Sequence, residues 1–299
     1  MISSLAKTKE DVCNRPASTE SDPYTYIPLE SSEHIRVLRL EPSLDRDSPL
    51  RFTFKTGTLE HLQDRYEALS YTWGDPVFSQ RMYSVEDNTI IPVTCNLDLA
   101  LRRFRHEVKT RDVWADAVCI NQADEAEKAT QIPMMRSIYQ QAGHVLVWLG
   151  GGREEEDALD VLRAVSRPLP GIEGLPDAEI RCSVWRMIER PYFKRRWIIQ
   201  EMSSNPDMTL VCGENEISWA RFVAAITRTR HLFSEAISQL STLTPIYTLI
   251  SLWKSHVQDD LSNSKSPQES ELNILELMEK FEQSECSNPL DQIYALYGL

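Results

Sequence analysis

A glutamate near the end of an aromatic-rich helix is the strongest candidate for chemistry in this sequence. Residues 191–203 are predicted to form one helix, on which Phe193, Trp197 and Glu201 recur at every fourth position. That spacing places a carboxylate on the same helix face as two aromatic rings. Apolar surroundings raise the pKa of a carboxyl group, and aromatic rings offer a surface for stacking. Such a carboxylate could stabilise positive charge at a sugar carbon, as carboxylates do in glycosidases.

Glu201 also has an ordinary interpretation. A helix glutamate is commonly solvated or paired with a cation, here Arg195 or Arg196, and Trp197 would then be a core residue. Helical geometry puts Arg195 off the face of Trp197 and Glu201, so we expect Arg195 to anchor a loop or to bind phosphate. Arg196 is expected to be a surface residue. Both interpretations of Glu201 stay open at this point.

A second group of candidates follows the predicted strands. Ser70, Trp73 and Gly74 stand at the carboxyl end of the strand 66–73, where open parallel sheets bind their ligands. Trp73 could equally plug the edge of the core. Asp116 interrupts an apolar run, so its carboxyl group must be paired, hydrogen-bonded or protonated. It could contact a ligand or tie down loop backbone.

The remaining polar candidates are less specific. Asn121 lies in the loop after the run that contains Asp116, where it could bind a ligand or shape the turn. The histidines stand apart from any Ser or Cys nucleophile motif, and the six cysteines form no CxxC pair. We therefore predict no metal site and reduced thiols, with Cys119 and Cys212 packed in the core.

The elements that must position these residues alternate between strand and helix in the first half of the chain. Apolar and polar residues alternate at 35–40 and at 51–55, which predicts an N-terminal antiparallel strand pair. Buried strands and helices with short connections are typical of an α/β fold, a mostly parallel sheet flanked by helices. Strands are predicted at 66–73, 113–120 and 145–149, and helices begin after the caps Asn96 and Asp124, the second kinked at Pro133.

The second half is predicted to be mainly helical. We expect a flexible N-terminal arm at 1–27 and a single domain at 28–299, with an α/β half at 28–152 and a helical half at 153–299. The polar, Ser-rich segment 259–271 is predicted to be a linker or mobile loop. Asp291 is predicted to cap the last helix.

Charge and hydropathy narrow the class of partner. The formal net charge of −13 repels phosphate backbones, so nucleic acid is not expected to bind. No apolar run reaches the roughly 18 residues that a membrane span needs, and residues 1–23 lack the apolar core of a signal peptide. These features predict a cytoplasmic protein.

Four sequence blocks together are characteristic: YEALSYTWG (66–74), VWADAVCINQADEAEKATQIPMMRSIYQQAGHVLVWLG (113–150), YFKRRWIIQE (192–201) with VCG (211–213), and NPLDQIYALYGL (288–299). In this order they resemble the fungal heterokaryon incompatibility (HET) family. Ala115, Lys128 and Pro133 depart from the usual pattern of the family. The resemblance implies a role in self/non-self recognition and programmed cell death.

A fainter resemblance connects the chain with TIR domains, flavodoxin-like modules of immunity and death signalling, some of which cleave NAD. The strand around Ser70 resembles the first TIR strand, and Trp197 with Glu201 resembles the TIR tryptophan and catalytic glutamate. A long insertion between Gly150 and Trp197 departs from ordinary TIR domains. The resemblance implies a flavodoxin/TIR-like fold, NAD as a substrate rather than a cofactor, and catalysis by Glu201.

The residues and the two resemblances together predict an effector domain that hydrolyses NAD or a related nucleotide after self-association. Its other expected partner is an upstream receptor or regulatory protein. The alternative is a non-enzymatic death-signalling module that acts by protein–protein interaction. A nuclease is disfavoured by the net acidity and by the absence of a compact carboxylate cluster in the sequence.

Overall fold

The fold is built around one sheet of nine strands. The computed structural model describes residues 21–167, 175–233, 240–261, 274–282, 284–286 and 289–296. The strands are β1 (His34–Leu40), β2 (Leu50–Thr58), β3 (Glu67–Tyr71), β4 (Gln80–Ser84), β5 (Ile90–Val93), β6 (Arg111–Trp114), β7 (His144–Trp148), β8 (Met208–Cys212) and β9 (Asn215–Ser218).

The strand order is β5-β4-β2-β1-β6-β3-β7-β8-β9. The four central strands β6, β3, β7 and β8 are parallel to one another. Numbered by their own sequence order, they run 2-1-3-4, which is the arrangement of flavodoxin-like sheets. The predicted N-terminal pair, β1 and β2, is antiparallel and joins the main sheet because β1 also pairs with β6. The outer part of the sheet is mixed, with β2 and β4 parallel and both edge strands antiparallel. The mixed α/β class is thereby confirmed.

Helices pack beside this sheet and dominate the second half. The helix Glu125–Gln140 and the helix Ile198–Ser203 pack on each other, and the latter also contacts the helix Leu240–Leu261. They are α1 (Leu59–Leu62), α2 (Cys95–Phe104), α3 (Asp116–Cys119), α4 (Glu125–Gln140), α5 (Arg153–Val165), α6 (Asp177–Ile188), α7 (Pro191–Lys194), α8 (Ile198–Ser203), α9 (Trp219–Thr229), α10 (Leu240–Leu261), α11 (Ile274–Lys280) and α12 (Asp291–Tyr294), with a 3-10 turn at Arg230–Phe233.

The core lies where the central strands meet α4. The strand β3 is buried from Ala68 to Tyr71, as expected for a strand covered on both faces. Trp114, at the end of β6, is fully buried and packs edge-on against Tyr139 of α4, with 5.6 Å between the ring centroids. The Tyr139 hydroxyl donates to the carbonyl oxygen of Leu69 at 3.1 Å, which fixes α4 on β3.

The prediction of a strand at 113–120 is wrong beyond Trp114, where the strand ends. The chain leaves the sheet at Ala115 and forms the one-turn helix α3, which starts at Asp116. The reason is local, because the Asp116 carboxylate accepts the N–H of Ala117 at 2.8 Å and so stabilises a turn. Asp116 therefore stands just beyond a strand end rather than within a strand.

The predicted helix 191–203 is also wrong, because it is broken at Arg195. The backbone of Arg195 is extended, with φ −70° and ψ 137°, and it separates α7 from α8. Glu285 occupies this gap: its N–H donates to the Lys194 carbonyl at 2.6 Å, and its carbonyl accepts from Arg196 at 2.9 Å. A contact between residues far apart in the chain thus replaces the local helical bonds.

One of the two helix caps predicted in the first half of the chain differs in the structure, and one agrees. The hydroxyl of Thr94, not Asn96, caps α2 by accepting the N–H of Leu97. Asp124 caps α4 as predicted, through the N–H groups of Ala126 and Glu127. This helix runs through Pro133 from Glu125 to Gln140.

Asp291 is the first residue of α12 and makes no capping hydrogen bond, so its predicted capping role is wrong. Cys119 and Cys212 are buried free thiols, as predicted, but Cys95 is disulfide-bonded, which corrects the expectation that all thiols are reduced.

The described part of the predicted N-terminal arm is attached to the sheet. Ile90 of β5 donates to the Asp22 carbonyl at 2.9 Å and accepts from Tyr24 at 2.8 Å. The predicted loop 259–271 lies outside the described residues except for 259–261, which end α10. Among the described helices, none combines the length and apolar character that a membrane crossing needs.

Candidate functional site

Glu201 lies at the centre of a buried polar cluster. Its side chain is 1% exposed, and both carboxylate oxygens contact the guanidinium group of Arg195. Nη2 of Arg195 lies 2.9 Å from Oε1, and Nη1 lies 3.1 Å from Oε2. The extended backbone at Arg195 turns this side chain back toward α8, which a continuous helix would not do. The arginine side chain is 17% exposed and forms the outer cover of the pair.

Ser70 connects Glu201 with the end of strand β3. Its Oγ donates to Oε2 of Glu201, and the Tyr192 hydroxyl lies 2.5 Å from the same Oγ. Both Ser70 and Tyr192 are buried. A chain of hydroxyl groups thus runs from Tyr192 through Ser70 to the carboxylate. Ser70 was predicted as a site residue. Tyr192 was missed, although it opens the same sequence block as Arg195 and Glu201.

The charges of this cluster are strongly coupled. Burial alone would lower the pKa of Arg195, but the adjacent Glu201 carboxylate and its hydrogen bonds more than offset burial, so the pKa lies above its ordinary value. Burial and the Glu201 charge raise the pKa of Tyr192. Tyr192 is therefore a neutral hydroxyl donor, and Arg195 is a permanent cation.

Asp116 and Trp73 form a second part of the same cluster. The indole Nε1 of Trp73 donates to Oδ2 of Asp116 at 2.9 Å. Burial raises the pKa of Asp116, Arg195 opposes this shift, and Glu201 adds to it, so the three charges act on one another. The hydroxyl of Tyr71 is buried without a hydrogen bond of ordinary geometry, and its pKa is raised by burial and by its interaction with Asp116.

The cluster lies at the carboxyl ends of the central strands. Ser70 and Tyr71 end β3, and Asp116 follows the end of β6. Strands β6 and β7 flank β3 on opposite sides, which makes β3 the topological switch point of the parallel strands. Ligands of open α/β sheets bind at such points. The structure therefore brings Ser70, Trp73, Asp116, Arg195 and Glu201 to a favourable place for a site.

Three other predicted site residues lie elsewhere or serve the backbone. Trp197 donates from Nε1 to Oδ2 of Asp291 at 3.1 Å, and its hydrogen bond with Glu201 is the helical backbone bond from the Glu201 N–H to the Trp197 carbonyl at 3.3 Å. Asn121 shapes its turn, since its Oδ1 accepts the N–H of Ala123 at 3.2 Å. Gly74 is exposed and adopts a positive φ of 74°, so it serves the turn after Trp73.

Two expectations about the neighbours of Glu201 are wrong. Phe193 stacks on Phe222, with ring centroids 5.9 Å apart, so the aromatic surroundings of the carboxylate come from tyrosines. Arg196 is 3% exposed rather than on the surface, and it donates to the carbonyl oxygens of Phe281 and Gln292. Both differences follow from the break at Arg195, which changes the direction of every side chain before α8.

In this arrangement Glu201 is a satisfied carboxylate. Both its oxygens are occupied, so a substrate could reach the carboxylate only if Arg195 moved away. Arg195 lies toward the outside of the pair, and its 17% exposed side chain is the part of the pair nearest to solvent. Within the described ranges, no group of three or more His, Cys, Asp or Glu residues could hold a metal ion.

A cavity of about 250 Å³ lies on another side of this segment, away from Glu201. It is mostly apolar and is lined by residues of α6, α7, α8 and α10 together with Phe281, Ser284 and Glu285. We place the candidate site at the Glu201 cluster instead, because that cluster carries the convergent polar groups and the strand ends.

Comparison with known proteins agrees with the sequence blocks. Residues 66–201 match the family model described as Heterokaryon incompatibility protein (HET). The chain is 29% identical over 246 residues to heterokaryon incompatibility protein 6, OR allele, of Neurospora crassa, an alignment that covers 66% of this chain and 35% of that protein. The chain thus spans about a third of the length of this relative. No solved structure matches the chain. Residues 66–201, a little under half of the chain, are thus similar to the heterokaryon incompatibility (HET) family.

Proposed function

We propose that this chain is the effector domain of a heterokaryon incompatibility system, and that it hydrolyses NAD or a related nucleotide after self-association. The match of residues 66–201 to the HET family model and the name of the Neurospora relative support the role in incompatibility and cell death. The observation that carries the enzymatic part is the position of Glu201, a carboxylate buried at the switch point of the sheet beside Ser70 and Arg195.

In the proposed reaction the bond between the nicotinamide nitrogen and C1′ of its ribose breaks. Nicotinamide leaves with the electron pair of that bond, and positive charge develops at C1′. Glu201 stabilises this charge, as a carboxylate does in a water-poor site. A water molecule then adds to C1′ and releases a proton, which completes the hydrolysis. Ser70 orients the carboxylate, and Arg195 binds the substrate phosphate.

Self-association supplies the switch in this proposal. Arg195 covers Glu201 in the state described above, so the carboxylate becomes available only when the guanidinium group takes a new partner. The substrate phosphate is such a partner, since Arg binds phosphate and carboxylate with the same planar fork. Association of two chains near α7 and α8 would stabilise the open position of Arg195.

A second candidate function is a non-enzymatic death-signalling module that recruits an upstream receptor or regulatory protein. The same ion pair favours it, because Glu201, Arg195 and Ser70 satisfy one another as groups with a purely structural role do. Under this alternative the cluster only holds α7 and α8 on the sheet.

Expression in fungal cells separates the two functions. Glu201→Gln removes the carboxylate charge with little change of shape. Glu127→Gln is a matched control, because Glu127 forms another buried pair, with Arg36 at 2.8 Å, and its hydrogen bonds go to Arg36 and the Asn121 N–H rather than to Ser70 or Arg195. The enzymatic proposal predicts that Glu201→Gln prevents both NAD loss and cell death while Glu127→Gln, at equal folded protein, prevents neither. Full toxicity of folded Glu201→Gln would support the signalling module.

A further inference from the structure

The group of Asp116, Trp73 and Tyr71 has unused hydrogen-bonding capacity. Asp116 accepts from Trp73 through Oδ2 and from the adjacent Ala117 N–H through Oδ1. A carboxylate oxygen has two acceptor positions, so each oxygen can accept one more hydrogen. Tyr71 is 2% exposed, and its hydroxyl forms no hydrogen bond of ordinary geometry, although its interaction with Asp116 contributes to its raised pKa. A buried hydroxyl that is incompletely hydrogen-bonded can take a further partner, which a ligand would supply.

Trp73 adds an apolar surface to these polar groups. Its indole N–H is held by Asp116, which fixes the ring, and the residue is only partly buried. A fixed aromatic ring beside a carboxylate and a hydroxyl can contact the C–H face of a sugar while the polar groups bind its hydroxyls. Asp and Glu residues of other open α/β sheets hydrogen-bond ribose hydroxyls in this way.

The position of the group selects one sugar. Trp114 pairs with Ala68 across the parallel strands β6 and β3, so Asp116 follows the strand end beside Ser70, whose Oγ contacts Glu201. A ribose whose C1′ faces Glu201 would therefore present its ring hydroxyls within reach of Asp116. Burial keeps Tyr71 neutral by raising its pKa, so its hydroxyl can donate to Asp116 or accept from the sugar.

We propose that Asp116, Trp73 and Tyr71 form the subsite for the 2′- and 3′-hydroxyls of the nicotinamide ribose. This inference rests on the proposed function, because it takes the nucleotide from it. It assigns Asp116 as the acceptor of both hydroxyls, Tyr71 as a third polar contact and Trp73 as the platform under the sugar ring.

Binding of an uncleavable probe tests the subsite without any catalysis. The probe is carbocyclic nicotinamide mononucleotide, in which carbon replaces the ring oxygen of the ribose, and its matched partner lacks the 2′- and 3′-hydroxyls. We expect the full chain to bind the hydroxylated probe at least about tenfold more tightly than the dideoxy probe, because a charge-assisted hydrogen bond contributes about that factor. Asp116→Asn should remove this difference and leave the affinity for the dideoxy probe unchanged.

Tyr71→Phe provides a second variant that does not weaken the fold. It deletes a hydroxyl that forms no hydrogen bond of ordinary geometry, so its melting temperature should stay close to that of the wild type while its affinity for the hydroxylated probe falls several-fold. Equal affinity of the wild type for both probes, or no binding of either, would overturn the subsite. Discrimination between the probes without release of nicotinamide from NAD would retain the subsite and contradict the proposed hydrolysis.

Discussion

The guanidinium group of Arg195 contacts both carboxylate oxygens of Glu201, at 2.9 Å and 3.1 Å, across the break between α7 and α8. Because Glu201 is 1% exposed, this pair decides both the stability of the segment and the access of any ligand to the carboxylate. A buried carboxylate that loses its cation is left with an uncompensated charge.

The first prediction concerns the energetic coupling between Arg195 and Glu201. Removing one partner should destabilise the fold by about 3 kcal/mol, at the lower end for buried pairs because the Arg195 side chain is 17% exposed. Urea unfolding of Arg195→Met, Glu201→Gln and the double variant forms the cycle, and the double variant should lose clearly less than the sum of the two. Additive losses would show that the two side chains do not interact.

The hydroxyl chain gives a second prediction. Ser70→Ala should cost about 1–3 kcal/mol, because the Tyr192 hydroxyl and one oxygen of Glu201 both lose their contact in a buried place. Adding Tyr192→Phe should then cost less than it does in the wild type, since its hydroxyl has already lost its partner. Chemical denaturation measures both steps, and an unchanged cost of Tyr192→Phe would contradict the proposed connection.

The third prediction concerns pH. Burial raises the pKa of Asp116 in the folded state, so the folded protein holds a proton there at a pH where the unfolded chain has released it. Stability from this group therefore increases as the pH falls through the folded pKa, and the gain levels off below the unfolded value near 3.8. The free energy of unfolding of the wild type, minus that of Asp116→Asn, should follow this course. A difference that is flat with pH would contradict the raised pKa.

The fourth prediction tests the attachment of the C-terminal segment. Arg196→Met removes two hydrogen bonds to backbone carbonyls, at Phe281 and Gln292, and should destabilise the fold by about 2–3 kcal/mol. Amide hydrogen exchange at 281–296 should accelerate at the same time. Arg186→Met is the control, because its pair with Glu154 is exposed and contributes at most about 1 kcal/mol. Equal effects of the two substitutions would contradict the buried role of Arg196.

Local sequence patterns were sufficient for the main elements of the sheet. The alternation at 35–40 and the apolar run at 145–149 identify β1 and β7, because burial on one or both faces leaves a direct mark on the sequence. The position of Ser70 at the end of β3 followed from the same reasoning. Asp124 was recognisable as a cap because its hydrogen bonds reach only two and three residues ahead.

The break at Arg195 could not be predicted in this way. It depends on Glu285, 90 residues later in the chain, whose backbone bonds with Lys194 and Arg196 leave no trace in the local pattern. The error about the helix then displaced the expected neighbours of Glu201, so Phe193 was placed on its face and Tyr192 was missed. Trp197 does lie one helical turn before Glu201, but its indole binds Asp291. Which side chains meet across such a break is determined by tertiary packing, so helical spacing cannot predict it.

Release of nicotinamide from NAD by the purified, self-associated chain is the most direct test of catalysis by Glu201. We expect steady release by the wild type and by Glu127→Gln, and none by Glu201→Gln after correction for folded protein. We also expect that dilution, which dissociates the assembly, stops the reaction. Intact NAD in the presence of assembled wild-type protein that still kills cells, or equal release by Glu201→Gln, would contradict catalysis by Glu201.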